Sequence, residues 1–171
     1  MKKMQQMLPW LLLFLTLGLA ACGSDDDEAT PASPALNGTM RATINGNAWE
    51  ATISLDAVVQ GPALVIVGTT DRNSEGLSST ISLNLFGVSA PGTFAVDGSD
   101  FTNPSSATYA YTTGTSANDV EIFNSLGNSG SVVISSISSQ GVEGTFSFVG
   151  RTTSAGNATR TISNGSFSVR F

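Results

Sequence analysis

The 171-residue chain contains no histidine, its two lysines are Lys2 and Lys3, and its single cysteine is Cys22. Each absence removes chemistry from the stretch that follows. Without histidine there is no Ser-His-Asp triad, no imidazole general base and no His-ligated zinc. With one cysteine the chain can form no internal disulfide and no thiolate metal cluster. Without lysine beyond Lys3 there is no Schiff base and no phosphate-cradling lysine of the Walker type. Paired carboxylates and oxygen-ligated metals are the familiar routes left. The composition therefore points away from an enzyme and implies no cofactor.

Positive charge is equally scarce. After residue 22 only Arg41, Arg72, Arg151, Arg160 and Arg170 stand against thirteen acids, four of them in Asp25-Asp26-Asp27-Glu28. Scattered arginines make no basic stripe, which argues against nucleic acid and anionic membrane surfaces as partners.

What is present begins with an address. Lys2 and Lys3 precede an apolar stretch from Leu8 to Leu19, followed by Ala20 and Ala21. This is the order of a secretory signal, with an apolar segment too short to span a bilayer as a permanent helix. Leu19-Ala20-Ala21-Cys22 resembles the lipobox of bacterial lipoproteins. The resemblance implies cleavage between Ala21 and Cys22, lipidation of the Cys22 sulfur, and a membrane partner held through acyl chains. Each buried methylene contributes about 0.8 kcal/mol, so two or three chains anchor durably.

The chain then divides into a signal peptide (1–21), a lipidated acidic and Pro-rich tether (22–36) and one domain (37–171). The tether has no large apolar side chain before Leu36 and cannot fold on its own. At about 3.3 Å per residue it could hold the domain up to roughly 45 Å from the membrane. Acidic residues directly after the lipid cysteine resemble the export signals of Bacteroidetes-type lipoproteins. The expected location is the outer membrane, with the periplasmic and cell-surface faces both open.

From Asn37 onward, short alternating runs are punctuated by Gly, Asn and Pro. Met40, Ala42 and Ile44 lead through Asn45-Gly46-Asn47 into Trp49, Ala51, Ile53 and Leu55, a hairpin signal. Ala63 to Val67 is a continuous apolar run suited to a central strand. Further runs cover Ile81 to Leu85, Thr93 to Val96, Ala107 to Thr113, Ser131 to Ser138, Thr145 to Val149, and Ile162 to Phe171. The imperfect alternation in Ser131 to Ser138 suggests a bulge. No stretch after the leader keeps a helical period. The prediction is all-β, an antiparallel two-layer β-sandwich of eight or nine strands, with a β-barrel as the alternative.

Several segments in this order resemble a family of Bacteroidetes-type outer-membrane lipoproteins built on a β-sandwich domain of unknown function. They are Met40 to Trp49, Ala90-Pro91-Gly92-Thr93-Phe94, Tyr109 to Thr113, Gly141 to Phe148 and Ile162 to Phe167. The resemblance implies fold and address but no activity, because each segment is turn and core chemistry.

Three groups of residues are candidate sites. Tyr109 and Tyr111 lie two apart on one strand and so share a face, where they could form a glycan-stacking platform or belong to the core. Trp49 shares its face with Ile53 and Leu55 and is expected in the core. Asp71, Asn73 and Glu75 precede Gly76 with the spacing of a calcium loop, although the twelfth-position acid is replaced by Ser82. Asp97 and Asp100, with Asp119 and Glu121, supply acids for a paired-carboxylate hydrolase if loops bring two together. Three Asn-X-Ser/Thr triplets, at Asn37, Asn157 and Asn164, are turn chemistry in a bacterial protein. Three functions follow: a non-catalytic binding or adhesion module, with glycans as its ligands; a structural or accessory envelope protein acting through a protein partner; and, with least support, a carboxylate-dependent hydrolase.

Overall fold

The computed structural model describes residues 35–71, 77–100, 102–114, 119–152 and 157–171. Asn45 and Gly46 have φ of 47° and 88°, the two left-handed positions of a type I′ turn. They join β1 (Gly38–Ile44) to β2 (Asn47–Glu50), with Ile44 opposite Asn47 and Arg41 opposite Glu50. The alternating run that starts at Trp49 does not continue as one strand. The Ala51 amide donates to the Met40 carbonyl, whereas the Thr52 and Ile53 amides donate to that of Thr69. The chain thus passes from one end of the sheet to the other within three residues. Trp49 and Leu55 are buried, but Ile53 is 40% exposed. Alternation marks a face only while the strand stays straight.

The remaining strands are β3 (Ser54–Gln60), β4 (Ala63–Thr69), β5 (Ser79–Phe86), β6 (Gly92–Ala95), β7 (Ser106–Thr112), β8 (Val120–Ser138), β9 (Gly141–Arg151) and β10 (Thr159–Arg170). The described residues form one open antiparallel sheet in the order β2-β1-β10-β9-β8-β7-β5-β4-β3, with β6 paired to β8. The all-β antiparallel architecture is as expected. The layers belong to one hydrogen-bonded sheet of ten strands, and it does not close into a barrel. The sheet curls until β3 lies against β10 and β1, so one face is enclosed. The apolar run in β4 is not central but one strand from the edge. Its alternate residues Leu64 and Ile66 are buried, while Val65 and Val67 are only partly covered.

The enclosed face supplies a single core that includes Met40, Ile66, Leu83, Phe123, Ile134 and Ile162, with Leu36 packed against it. Burying each large apolar side chain contributes about 1.5–3 kcal/mol. Two departures from regular alternation keep that face apolar. In β10 the buried positions shift from Ile162 to Gly165 and Phe167, and Asn164 takes up the extra residue with φ of 51°. In β8 the pairing with β9 shifts between Ser125 and Gly130, around Gly127 (φ 70°) and Asn128 (φ 57°). A second shift, between Ile134 and Ser136, is the bulge expected there. The bend lets one edge of this long strand pair first with β7 and then with β6, while β9 pairs with it on both sides of the bend.

Candidate functional site

Tyr109 and Tyr111 sit on the inner face of β7, at the end of the sheet that also carries the Asn45-Gly46 turn. Register places Tyr111 between Ser79 of β5 and Glu121 of β8, and Tyr109 opposite Phe123. The Tyr109 and Tyr111 ring centroids are 5.9 Å apart, and Phe123 lies 6.0 Å from Tyr111. Tyr109 is 8% exposed and belongs to the core, whereas Tyr111 is half-buried. The pair does not form an open stacking platform; the Tyr111 hydroxyl and ring edge reach solvent-facing space.

Two residues from distant strands complete the cluster. Trp49, buried as expected, comes from β2, and its indole N–H donates to the Ser79 Oγ at 2.9 Å. Thr70 Oγ1 is 3.2 Å from that same hydroxyl. Arg160 comes from β10, and its guanidinium lies 4.8 Å from the Phe123 centroid and 5.6 Å from that of Tyr111. Between Arg160 and Phe123 stands Gly150 of β9, which faces Arg160 in the ladder. A Cβ at residue 150 would come within 2.8 Å of the Phe123 Cβ. The missing side chain there leaves room for the arginine to reach across β9 onto the aromatic faces.

The polar groups of the cluster form a short relay. Arg160 Nη2 donates to the Tyr111 hydroxyl at 3.2 Å, and that hydroxyl donates to Glu121 Oε2 at 2.5 Å. Arg160 Nη1 donates to the Thr159 carbonyl at 3.1 Å. The hydrogen bond to Glu121, followed by burial, raises the Tyr111 pKa above the ordinary phenol value. Burial raises that of Tyr109. Both phenols therefore stay protonated at neutral pH, and that of Tyr111 donates to Glu121.

A groove of about 500 Å³ opens over this cluster, lined by Asn45, Asn47, Trp49, Tyr109, Tyr111 and Arg160 among others. A second groove of about 350 Å³ shares Ala48, Trp49, Tyr109 and Tyr111 and adds Glu50, Asp71 and Ser79. The two flank β2. Their walls differ in sign: among the described residues, Arg160 is the charged group of the first, and Glu50 and Asp71 are those of the second.

The chain belongs to the DUF6252 family. The family model, a domain of unknown function, matches residues 36–169 and so covers the whole of the sheet up to Val169. Neither the curated proteins nor the solved structures hold a significant match to the chain.

The other sequence candidates fall elsewhere in the DUF6252 domain. Asp71 is exposed, and its amide donates to Thr52 Oγ1 at 2.6 Å. Asn73 and Glu75 of the calcium-loop pattern lie outside the described residues, as do Ala21 and Cys22. Among the described residues no group of three His, Cys, Asp or Glu side chains could hold a metal ion. Asp97 and Asp100 each accept from the hydroxyl and amide two residues on, Ser99 and Thr102. Asp97 also accepts from the Gly127 amide at 2.8 Å and the Asn128 amide at 2.7 Å, which holds the bend in β8. These bonds, led by the Ser99 hydroxyl, lower the Asp97 pKa to about 2. Glu121 is six residues from the bend, about 20 Å along β8. Asp97 and Glu121 thus lie too far apart to act as one carboxylate pair.

Sequence reasoning named the tyrosine pair but not Arg160, nor the role of Trp49, Asn45 and Asn47 in the groove. The one local signal for Arg160 is its phase: it shares a face with Ile162, so a charged side chain points inward.

Proposed function

We propose that the DUF6252 domain is a non-catalytic glycan-binding module of a membrane-anchored lipoprotein. The observation that carries this reading is the groove over Trp49, Tyr109, Tyr111 and Arg160, where aromatic edges, phenol hydroxyls and two asparagine side chains converge. Such a mixture suits sugars, which present apolar C–H faces ringed by hydroxyls. The chain enters the domain at Leu36 to Gly38, at the opposite end of β1 from the Asn45 turn. Seven strand residues separate the two ends, about 23 Å. On the lipoprotein reading the tether therefore joins the domain at the end of β1 opposite the groove. The lipobox resemblance and the acidic tether support a Bacteroidetes-type outer-membrane lipoprotein, exposed at the periplasmic or cell-surface face.

The test is a glycan-array screen with the domain expressed from Ser24, which retains every core residue. The reading expects selective binding that Tyr111→Ala weakens at least tenfold, with a cooperative circular dichroism melt showing that the variant is folded at the assay temperature. Binding unaffected by Tyr111→Ala, or none, contradicts it. Labelling of Cys22 with radioactive palmitate in whole cells tests the anchor separately, and Cys22→Ala should abolish the label.

A second reading, an accessory protein acting through a protein partner, has one observation in its favour. The edge strand β3 exposes Val58 and Val59, each more than half accessible, next to backbone groups with no further strand paired to them among the described residues. Capture of a partner that Val58→Lys abolishes would favour it.

A further inference from the structure

We infer that the groove selects saccharides carrying a carboxylate, with Arg160 as the residue that reads it; this rests on the glycan-binding reading above. Arg160 is half-buried and lines the larger groove, yet no carboxylate of the described residues lies within salt-bridge distance of it. The contrast within the domain is direct. Arg41 is exposed and pairs with Glu50 at 2.9 Å, and Arg151 and Arg170 are exposed as well. Among the described residues Glu121 reaches Arg160 only through the Tyr111 hydroxyl and not as a direct ion pair, so the half-buried guanidinium keeps donors that an incoming anion can take up.

The arginine is also oriented for the task. Its plane is fixed over Phe123 and Tyr111, and two donor bonds tie Nη1 to Thr159 and Nη2 to the Tyr111 hydroxyl. A guanidinium has five N–H donors, so three are left for a planar carboxylate. Glu121 is turned to the Tyr111 hydroxyl and does not line this groove. Among the described residues the neighbouring groove is lined by Glu50 and Asp71 and by no cation, so it offers an incoming carboxylate nothing to pair with. A saccharide lying across β2 is thereby given a direction: its carboxylate sits on the Arg160 side, with its neutral hydroxyls toward Ser78 and Ser79.

The test pairs uronate oligosaccharides (glucuronate, galacturonate and mannuronate) with their methyl esters, which keep every ring hydroxyl and lose the charge. Titration calorimetry of the domain from Ser24 should show at least one uronate bound about tenfold or more tightly than its ester. That preference should weaken as salt rises from 50 to 500 mM, because the Debye length shortens about threefold. Arg160→Gln should bring acid and ester to equal affinity, and Arg160→Lys should keep part of the preference because it retains charge without the planar fork. Circular dichroism melts of both variants show whether the fold survives. If esters and neutral glycans bind as well as acids, or the preference survives in folded Arg160→Gln, the carboxylate inference fails and glycan binding stands. If neither acids nor neutral glycans bind, both readings fail.

Discussion

Two acids on β8 and its neighbouring turn, Glu121 and Asp97, have opposite surroundings. Asp97 accepts four hydrogen bonds, from the Ser99 amide and hydroxyl and from the amides of Gly127 and Asn128. Every one of its partners is backbone or a side chain two residues away, and what it does is hold a bend. Glu121 instead takes the phenol of Tyr111, which in turn takes Arg160, and that chain of long side chains ends in an open groove. The difference separates structure from site. Where donors and acceptors are matched locally and completely, the group serves the fold. Where a charge from a distant strand is brought in and, among the described residues, makes no direct ion pair, the molecule keeps capacity for something else.

The comparison can be broken at several points. The largest effect is expected from Phe123→Ala, because Phe123 is the fully buried floor beneath Arg160 and Tyr111. Its loss should cost about 3–5 kcal/mol in urea unfolding and also disorder the groove. Asp97→Ala comes next and should lower the thermal midpoint without touching ligand binding. Its pH signature is specific. The carboxyl pKa is depressed in the folded state, from 3.8 to about 2, so the stabilisation is complete above pH 4. It is lost as pH falls from about 4 towards 2. The wild type should therefore lose more stability across that window than Asp97→Asn does; equal losses would show that Asp97 is not the clamp.

Smaller effects sharpen the groove side. Ser79→Ala removes the acceptor of the Trp49 indole and the partner of Thr70, and should cost about 1–2 kcal/mol while loosening Trp49, seen as a red-shifted emission. Red-shifted emission without a change in stability would place the indole bond outside the energetics of the fold. Smallest of all is Arg41→Gln, which breaks an exposed ion pair with Glu50 and should change stability by about 0.5 kcal/mol or less.

Much of the fold is legible in particular residues. Ile81, Leu83 and Leu85 alternate and are all buried, Asn45-Gly46 turns the first hairpin, and Asn164 sits where the phase of β10 changes. The first half of β8 is not legible, because Leu126-Gly127-Asn128-Ser129-Gly130 has the composition of a loop. It is held in a strand by Asp97, thirty residues earlier in the chain, and by pairing with β7. The break at Ala51 to Ile53 is hidden for a related reason: alternation encodes which face is buried, not which strand lies alongside. At the site, the shared face of Tyr109 and Tyr111 follows from their spacing alone. Arg160 over Phe123 does not, since it depends on a sheet register and on the empty position at Gly150.

The most direct measurement is an amide and indole NMR shift map of the labelled domain titrated with a uronate oligosaccharide. Shifts are expected at residues 44–49, at Tyr109 and Tyr111, at Arg160 and at the Trp49 indole, with Gly127 and Asn128 at the Asp97 bend unmoved. Shifts concentrated on the β3 edge or at the bend, or no shifts at all, would contradict the assignment of the groove as the ligand site.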